Sequence, residues 1–589
     1  MKIVKKAFAI LFGISLITSC INDNVESPSF VTDSESSNEF YISLEISPVA
    51  TRTTTENEDS EIGQDYENEI ESAIVIFAAR DNEDDPEIET KYVTHATFLP
   101  DDNKESGTYI ADAKEVRQTL IKSIGEAESK KFDIYVIANP TSDIVSTISQ
   151  LKYKSGDDIK IRALNISWDK TDEKAYGWFK KDEKSHNFVM TNGALNDDHC
   201  AQIIKLDDLT STDHSDQEKA YSLGTISVQR LVARFDFDTK KTTFTQQIAD
   251  ADAEIEITGL YLFNMNDQFS MFKQVGRGTE RMPWIFFDNE KNSTNNWNFV
   301  YDPNATTKAS GKYAGFHYTL ATKDAFFINK NKMDKAYTIG NISFTAISDI
   351  SGKTNTKDPS NSSSSVWENY KAWRYVMPNS VYSDDELKAT TYTDLKSQLH
   401  KNTTGVIFKA EIVKANGKVL SNVYSASSDK LYFFDDQLYG NPNELKDKME
   451  EYAENGDVVE KWMAGIYQSA VVTDDRIDDA VLVKNGFTIY EPTVEEGTNH
   501  YYCYYYYWNC HNDNNNPKVN GPMEFAVVSN NVYKLSIEEI TKFGHPADPA
   551  NDPDPVDPDN PNETEEISTY FSVSCEVLPW IVRLNKIKF

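Results

Sequence analysis

The sequence predicts a mostly β protein with a few decorating helices, packed most economically as β-sandwiches. Apolar and polar residues alternate in short runs, the runs are rich in β-branched and aromatic side chains, and Gly, Asn, Asp or Pro bound them. Helical periodicity is scarce by comparison.

Phe40, Ile42, Leu44 and Ile46 alternate with Tyr41, Ser43 and Glu45, the period-two pattern of a half-buried strand, which Pro48 ends. Further strands are expected over Ala73 to Ala79, Phe132 to Ala138, Ile226 to Phe237, Ile255 to Phe263, Val406 to Ile412, Phe525 to Val528 and Val532 to Ile537, and Tyr504 to Trp508 also reads as strand. In the run from Ile226, Leu231, Ala233, Phe235 and Phe237 share one face, and a domain boundary is expected just after it. Val116, Leu120 and Ile124 mark one amphipathic helix; Leu445, Met449 and Tyr452 mark another, following Pro442-Asn443 and closing at Gly456. The Asn/Ser-rich stretches 289–315 and 358–365 read as surface loops of a larger, insertion-bearing second domain. Ala547 to Pro561 is dominated by Asp and Pro; proline lacks the ladder donor, so this is a stiff, solvated spacer. It delivers a last strand in which Phe571, Val573, Cys575 and Val577 alternate with Ser572, Ser574 and Glu576.

The first twenty residues carry a localisation signal. Lys2, Lys5 and Lys6 form a basic start, and Ala7 to Ile17 is an apolar stretch of signal-peptide length, too short to span a bilayer comfortably. It ends in Leu16-Ile17-Thr18-Ser19-Cys20, which looks like the lipobox of bacterial lipoproteins, with Cys20 the acylated residue. Stable anchoring requires the two or three acyl chains of such a lipoprotein, because one chain holds only marginally. Residues 21–38 are rich in Ser, Asp, Glu and Asn and suit a tether. Thr51 to Gln64 is a polar, acidic loop that contains Arg52.

A chain of 589 residues is too long for one core. Its formal charge of −35 repels phosphate backbones and argues against nucleic acid as a partner. Beyond Cys20 only Cys200, Cys503, Cys510 and Cys575 occur, too few for a disulfide-built scaffold, and their pairing is left open. An extended strand would hold Cys503 and Cys510 about 23 Å apart, so a bridge between them needs a turn. No nucleophile elbow, His-Glu-x-x-His pair, phosphate loop or dinucleotide fingerprint is present, and Gly276-Arg277-Gly278 reads as a turn. His500, Cys503, Cys510 and His511 have zinc-ligand chemistry without the spacing of a familiar site, and Asp197-Asp198-His199-Cys200 reads as a polar loop. No metal, cofactor or catalytic residue is assigned.

The most specific signal is C-terminal. Tyr504-Tyr505, Trp508-Asn509, His511-Asn512-Asp513-Asn514, Gly521-Pro522-Met523-Glu524-Phe525-Ala526-Val527-Val528, Asn530-Asn531-Val532-Tyr533-Lys534-Leu535 and Leu578-Pro579-Trp580 resemble the C-terminal domain of the Mfa-type minor-fimbrium subunit family, among the fimbrillins, lipoprotein precursors of type V pili. Phe132 to Pro140 and Val228 to Arg234 are similar to strands of the fimbrillin N-terminal domain.

The resemblance implies two transthyretin-like Greek-key β-sandwich domains and a structural, non-enzymatic role. It implies the divisions 1–20 signal and lipobox, 21–52 tether and removable first strand, 53–240 N-terminal domain, 241–546 C-terminal domain with insertions, 547–569 spacer and 570–589 C-terminal strand. In the family an arginine-specific or trypsin-like protease cuts a loop behind the first strand, which then leaves; here Arg52-Thr53 occupies such a loop behind Phe40 to Ile46. A neighbour's C-terminal strand refills the groove, a role that Phe571, Val573, Cys575 and Val577 have the alternation to play; the competing reading is that this strand completes its own domain. The expected partners are other fimbrial subunits, the outer membrane through the lipid before processing, and host or bacterial surface ligands. The expected location is an outer-membrane precursor and then an extracellular fimbrium. The alternative function is a monomeric surface lipoprotein that binds glycans or host proteins.

Overall fold

The computed structural model describes residues 39–48, 61–62, 65–80, 90–101, 107–151, 165–167, 188–192, 201–248, 251–263, 268–277, 298–301, 344–350, 352, 369–379, 404–434, 437–472, 476–509, 525–546 and 571–581. Cys20, Arg52, Thr53 and the Asp/Pro spacer lie outside these residues.

The fold is mostly β, in two successive groups of sheets. The first group contains β1 (Tyr41–Pro48), β3 (Ala73–Arg80), β4 (Thr90–Pro100), β5 (Thr108–Asp112), β6 (Ser129–Ala138), β8 (Met190–Thr191), β9 (Gln202–Lys205) and β10 (Tyr221–Arg230). The two-residue strand β2 (Glu61–Ile62) and the short β7 (Asn165–Ser167) pair elsewhere. Pairing runs from β3 through β4, β5, β1, β10, β8 and β6 and returns to β3, so seven strands close a circuit, with β9 added outside β6. Two long strands turn the corners. β4 pairs with β3 up to Phe98 and with β5 at Leu99 and Pro100, while β10 pairs with β1 up to Val228 and with β8 at Gln229 and Arg230.

Helices α1 (Asp65–Asn68), α2 (Lys114–Ile124), α3 (Ser142–Ser149) and α4 (Leu206–Thr210) decorate this group. Val116, Leu120 and Ile124 are buried on α2 as their spacing predicts. Thr141 caps α3 by accepting from the Ile144 amide.

The chain then passes to a second group, and the run expected as one strand from Ile226 to Phe237 breaks. β10 ends at Arg230, Leu231 and Val232 turn, and β11 (Ala233–Asp238) enters a different sheet. The buried apolar positions change phase there, from Ile226 and Val228 to Leu231, Ala233, Phe235 and Phe237, but the unbroken apolar run Leu231-Val232-Ala233 bridges the two patterns and hides the break. The second group includes β12 (Thr243–Ile248), β13 (Ala251–Phe263), β14 (Gln268–Ser270), β15 (Gln274–Arg277), β16 (Asn298–Tyr301), β17 (Thr345–Ala346), β18 (Tyr370–Val376), β19 (Gly405–Ala415) and β20 (Lys418–Val419). β16 falls within 289–315, where the Asn/Ser-rich composition predicts loop. After an insertion come β24 (Pro492–Glu495), β25 (Thr498–Trp508), β26 (Asn531–Ile540) and β27 (Phe571–Ile581). One sheet has the order β18-β11-β26-β27-β2 and the other β12-β13-β19-β25-β24. Phe237 of β11 meets Phe408 of β19 at 5.8 Å between ring centroids, which joins the two layers. Phe525 to Val528 is not a strand: only an isolated bridge between Val527 and Asn379 forms there.

The insertion carries α5 (Leu420–Val423), a three-stranded sheet of β21 (Leu431–Phe434), β22 (Gln437–Tyr439) and β23 (Thr488–Tyr490), and helices α6 (Pro442–Asn455), α7 (Val458–Ala470) and α8 (Asp479–Lys484). It packs a core of its own around Leu445, Met449, Tyr452, Met463 and Phe487. α6 is the helix the sequence predicts, capped by Asn441 and ended at Gly456. α7 was legible only in its capping box, Asp457 with Glu460.

Candidate functional site

The first strand is the element on which the functional reading turns. On β1, Ile42, Leu44 and Ile46, with Phe40 just before it, are 1 to 3 % exposed, so the alternation in the sequence becomes a buried face. β1 runs antiparallel to β5, Tyr41 opposite Asp112 through Glu45 opposite Thr108. On its other side it runs parallel to β10, from Ile42 opposite Tyr221 to Pro48 opposite Val228. It is therefore an interior strand, and the only link between β5 and β10 in the circuit of described strands.

Contacts at both ends hold it. The Tyr41 amide donates to the His214 carbonyl at 2.9 Å, the Ala113 amide donates to the Phe40 carbonyl at 2.7 Å, and the Ile46 amide donates to the Gly107 carbonyl at 2.9 Å. Phe40 lies edge-on to His214, with centroids 5.7 Å apart, and the Arg117 guanidinium sits 5.3 Å from its ring centre. Gly107 has φ +106°, a conformation that favours glycine, and it turns the chain into β5 beside Ile46. Thr225 on β10 donates to the exposed Glu45 carboxylate at 2.7 Å.

A buried ionic cluster lies where the two strand groups meet. Arg234 donates to both Glu67 oxygens at 3.1 and 3.2 Å and to both Asp236 oxygens at 2.8 and 2.9 Å. Lys534 on β26 donates to Asp236 at 2.9 Å, and the Tyr375 hydroxyl donates to Glu67 at 2.6 Å. Arg230 reaches the Glu67 carbonyl at 2.8 Å, and the side chains of Asn68 and Asn530. Burial alone would raise the Asp236 carboxyl, but Arg234 and Lys534 outweigh it and hold the group below the usual carboxylate range. Burial lowers the Arg230 guanidinium to about 10, against the pull of Glu67. Glu67 belongs to α1, downstream of Arg52 in the sequence, so this part of the chain is tied to both groups of sheets. Sequence reasoning missed these roles; the available signal was charge alternating with Phe235 and Phe237 in an otherwise apolar strand.

The last strand lies in its own chain's second sheet. β27 runs antiparallel to β26 from Asn531 opposite Pro579 to Ile540 opposite Phe571, and parallel to β2 at Trp580 and Ile581. Val573, Cys575 and Val577 thus stand opposite Ile537, Leu535 and Tyr533.

The C-terminal cysteine and histidine chemistry does not converge. Cys503 is a buried free thiol, and burial pushes it up to about 12. His500 lies at a position of opposite parity on β25, stacks on Tyr502 and bonds Glu411 at 2.8 Å. Cys200 and Cys510 lie outside the described residues.

Residues 499–586 match the family described as major fimbrial subunit protein type IV, fimbrillin, C-terminal. Nothing matches among the curated proteins. Among solved structures, a fimbrilin from Porphyromonas gingivalis W83 is similar at 12 % identity and a TM-score of 0.30, over 93 % of this chain and 100 % of that one. The tip fimbrial protein Mfa3 from Porphyromonas gingivalis is similar at 8 % identity and a TM-score of 0.28, over 92 % and 100 % of the two chains. A protein assigned to cell adhesion from Parabacteroides distasonis ATCC 8503 is similar at 12 % identity and a TM-score of 0.35, over 93 % and 99 %. The family match spans β25, β26 and β27, and over these strands the chain is similar to the fimbrillin C-terminal domain.

Proposed function

We propose that this chain is a structural subunit of an adhesive cell-surface fimbria, built on two transthyretin-like Greek-key β-sandwich domains. It is exported as an outer-membrane lipoprotein precursor acylated at Cys20, trimmed between Arg52 and Thr53, and polymerised by exchange of strands between subunits. One observation carries the reading: β1 is an interior strand of a closed circuit, yet it stands directly before the loop that contains Arg52. A cut in that loop leaves β1 held without a covalent bond to the domain it completes.

Removal of β1 would uncover pockets for Phe40, Ile42, Leu44 and Ile46. At about 1.5–3 kcal/mol per buried side chain this is about 6–12 kcal/mol of apolar contact, with unpaired backbone on β5 and β10 besides. Such a slot is a template for an incoming strand of the same polarity, parallel to β10 and antiparallel to β5. Phe571, Val573, Cys575 and Val577 supply a matching alternation on a strand that follows a Pro-rich spacer. Donation would first require β27 to leave β26.

The pairing of β27 within its own chain favours a second reading, a monomeric lipoprotein that binds glycans or host proteins. N-terminal sequencing of surface-extracted protein separates the two. A start at Thr53 supports the fimbrial subunit, and a blocked, acylated Cys20 supports the permanent lipoprotein. A chain truncated before Thr569 that still formed heat-resistant, high-mass ladders would exclude β27 as the donor.

A further inference from the structure

The insertion meets the main sheet at a cleft of about 320 Å3, lined by Asn416, Gln437, Tyr439, Gly440, Glu444 and Lys448 among others. That volume is at the small end of ligand pockets, enough for one ring-sized molecule. Asn416 stands at the β19–β20 turn with φ +50°, followed by Gly417 with φ +74°, so the turn places a short polar side chain at the cleft edge. Glu444 and Lys448 are one turn apart on α6 and so share a face of the helix.

The polar groups of the lining have hydrogen-bond partners of their own. The Gln437 Oε1 accepts from the Tyr452 hydroxyl at 2.9 Å and the Tyr439 hydroxyl at 3.3 Å, which leaves its amide NH2 as the outward donor. The Asn416 Nδ2 donates to the Leu438 carbonyl at 2.8 Å, which leaves its Oδ1 as an acceptor. Glu444 accepts from the Tyr424 hydroxyl at 3.0 Å and from Lys418 at 3.1 Å. Gly440 makes room for this: a Cβ there would collide with the Tyr424 hydroxyl oxygen and the Glu444 Oε2. Lys448 is held by Glu451 at 2.9 Å and lies 5.0 Å from the Tyr452 ring centre.

The lining therefore offers fixed donors and fixed acceptors, with a carboxylate and an ammonium side by side. An anion bound there would face Glu444, and a cation would face Lys448. A neutral molecule that carries donors and acceptors on one small ring satisfies both, and pre-set polar groups lower the ordering cost of binding it. We propose that this cleft is a binding site for a neutral sugar ring, a hexose or N-acetylhexosamine. The site is formed by the insertion and the β19–β20 turn, away from β1 and β27, and does not depend on polymerisation.

The test is saturation-transfer NMR on the full chain with free hexoses and N-acetylhexosamines, followed by titration of any sugar that responds. Gln437→Glu, which keeps an oxygen for the Tyr452 hydroxyl and removes the amide donor, and Lys448→Met, which removes the ammonium, each weaken binding about tenfold with the thermal midpoint retained. Glu450→Gln, on the same helix but outside the cleft lining, leaves binding unchanged. The proposal is overturned if no neutral sugar binds, if only acidic sugars bind, or if both cleft variants bind as the parent does.

Discussion

Glu67 and Arg234 meet at 3.1 Å with neither side chain exposed, joining α1, which lies downstream of Arg52 in the sequence, to β11. The pair fixes α1 independently of β1. Proteolysis and loss of β1 would therefore leave the two groups of strands connected through Glu67, Arg234, Asp236 and Lys534.

Removing one member of that cluster exposes its cost. Arg234→Met leaves Glu67 and Asp236 buried beside a side chain that cannot answer them, and is expected to destabilise the chain by about 3–5 kcal/mol in denaturant unfolding. A loss below about 1 kcal/mol would mean that the neighbouring cations suffice.

Asp236 makes stability depend on acid. Its folded carboxyl lies below its unfolded value, so its contribution is fully present above the unfolded pKa and is lost as pH falls through the folded one. Unfolding free energy measured from neutral to acid pH should fall through that window, and Asp236→Asn should flatten this part of the profile.

Lys273 acts with the opposite balance. It is 9 % exposed, its ammonium donates to the Ser529 carbonyl at 3.1 Å, and burial lowers it to about 8 from 10.5. The unfolded chain binds the proton more tightly, so stability should rise as pH increases from about 8 to about 10.5, by about 3 kcal/mol if the whole shift is expressed. Lys273→Met should remove that rise; an unchanged profile in the variant would assign it to another group.

The slot tolerates little loss of volume. Leu44→Ala, at a site 1 % exposed, is expected to cost about 2–5 kcal/mol of stability. It should also accelerate trypsin cleavage of the native chain, because β1 is held less firmly. Equal proteolysis of variant and parent would argue that the slot is not what protects this end.

The Cys503 thiol should be silent in the native protein. Buried, and pushed up to about 12, it should escape iodoacetamide at neutral pH and react after unfolding, which peptide mass mapping reads directly. Native labelling would place the thiol at the surface.

Much of the local structure was legible before the fold was known. The alternation of Phe40, Ile42, Leu44 and Ile46 specified a strand and its buried face, and Pro48 its end. Pro442 and Gly456 bounded α6 because start and stop signals act within one turn of helix. The break at Leu231-Val232 was missed, because the apolar run Leu231-Val232-Ala233 covers the change of phase from Ile226 and Val228 to Leu231, Ala233, Phe235 and Phe237. So was the burial of Arg230, Arg234, Asp236 and Lys534, because charged residues in a strand read as a solvated face until their partners are known.

By itself the sequence determined the buried apolar face of β1, the ends of β1 and α6, and, through residues 499–586, a likeness to the fimbrillin C-terminal domain. Tertiary structure alone decided which strands share a sheet. It placed β1 between β5 and β10, closed the circuit, and set Glu67 against Arg234 across 167 positions of sequence. The reason is physical: a period of two residues records which face of a strand is buried, while the partner at its edge is chosen by backbone hydrogen bonds that every residue except proline can make.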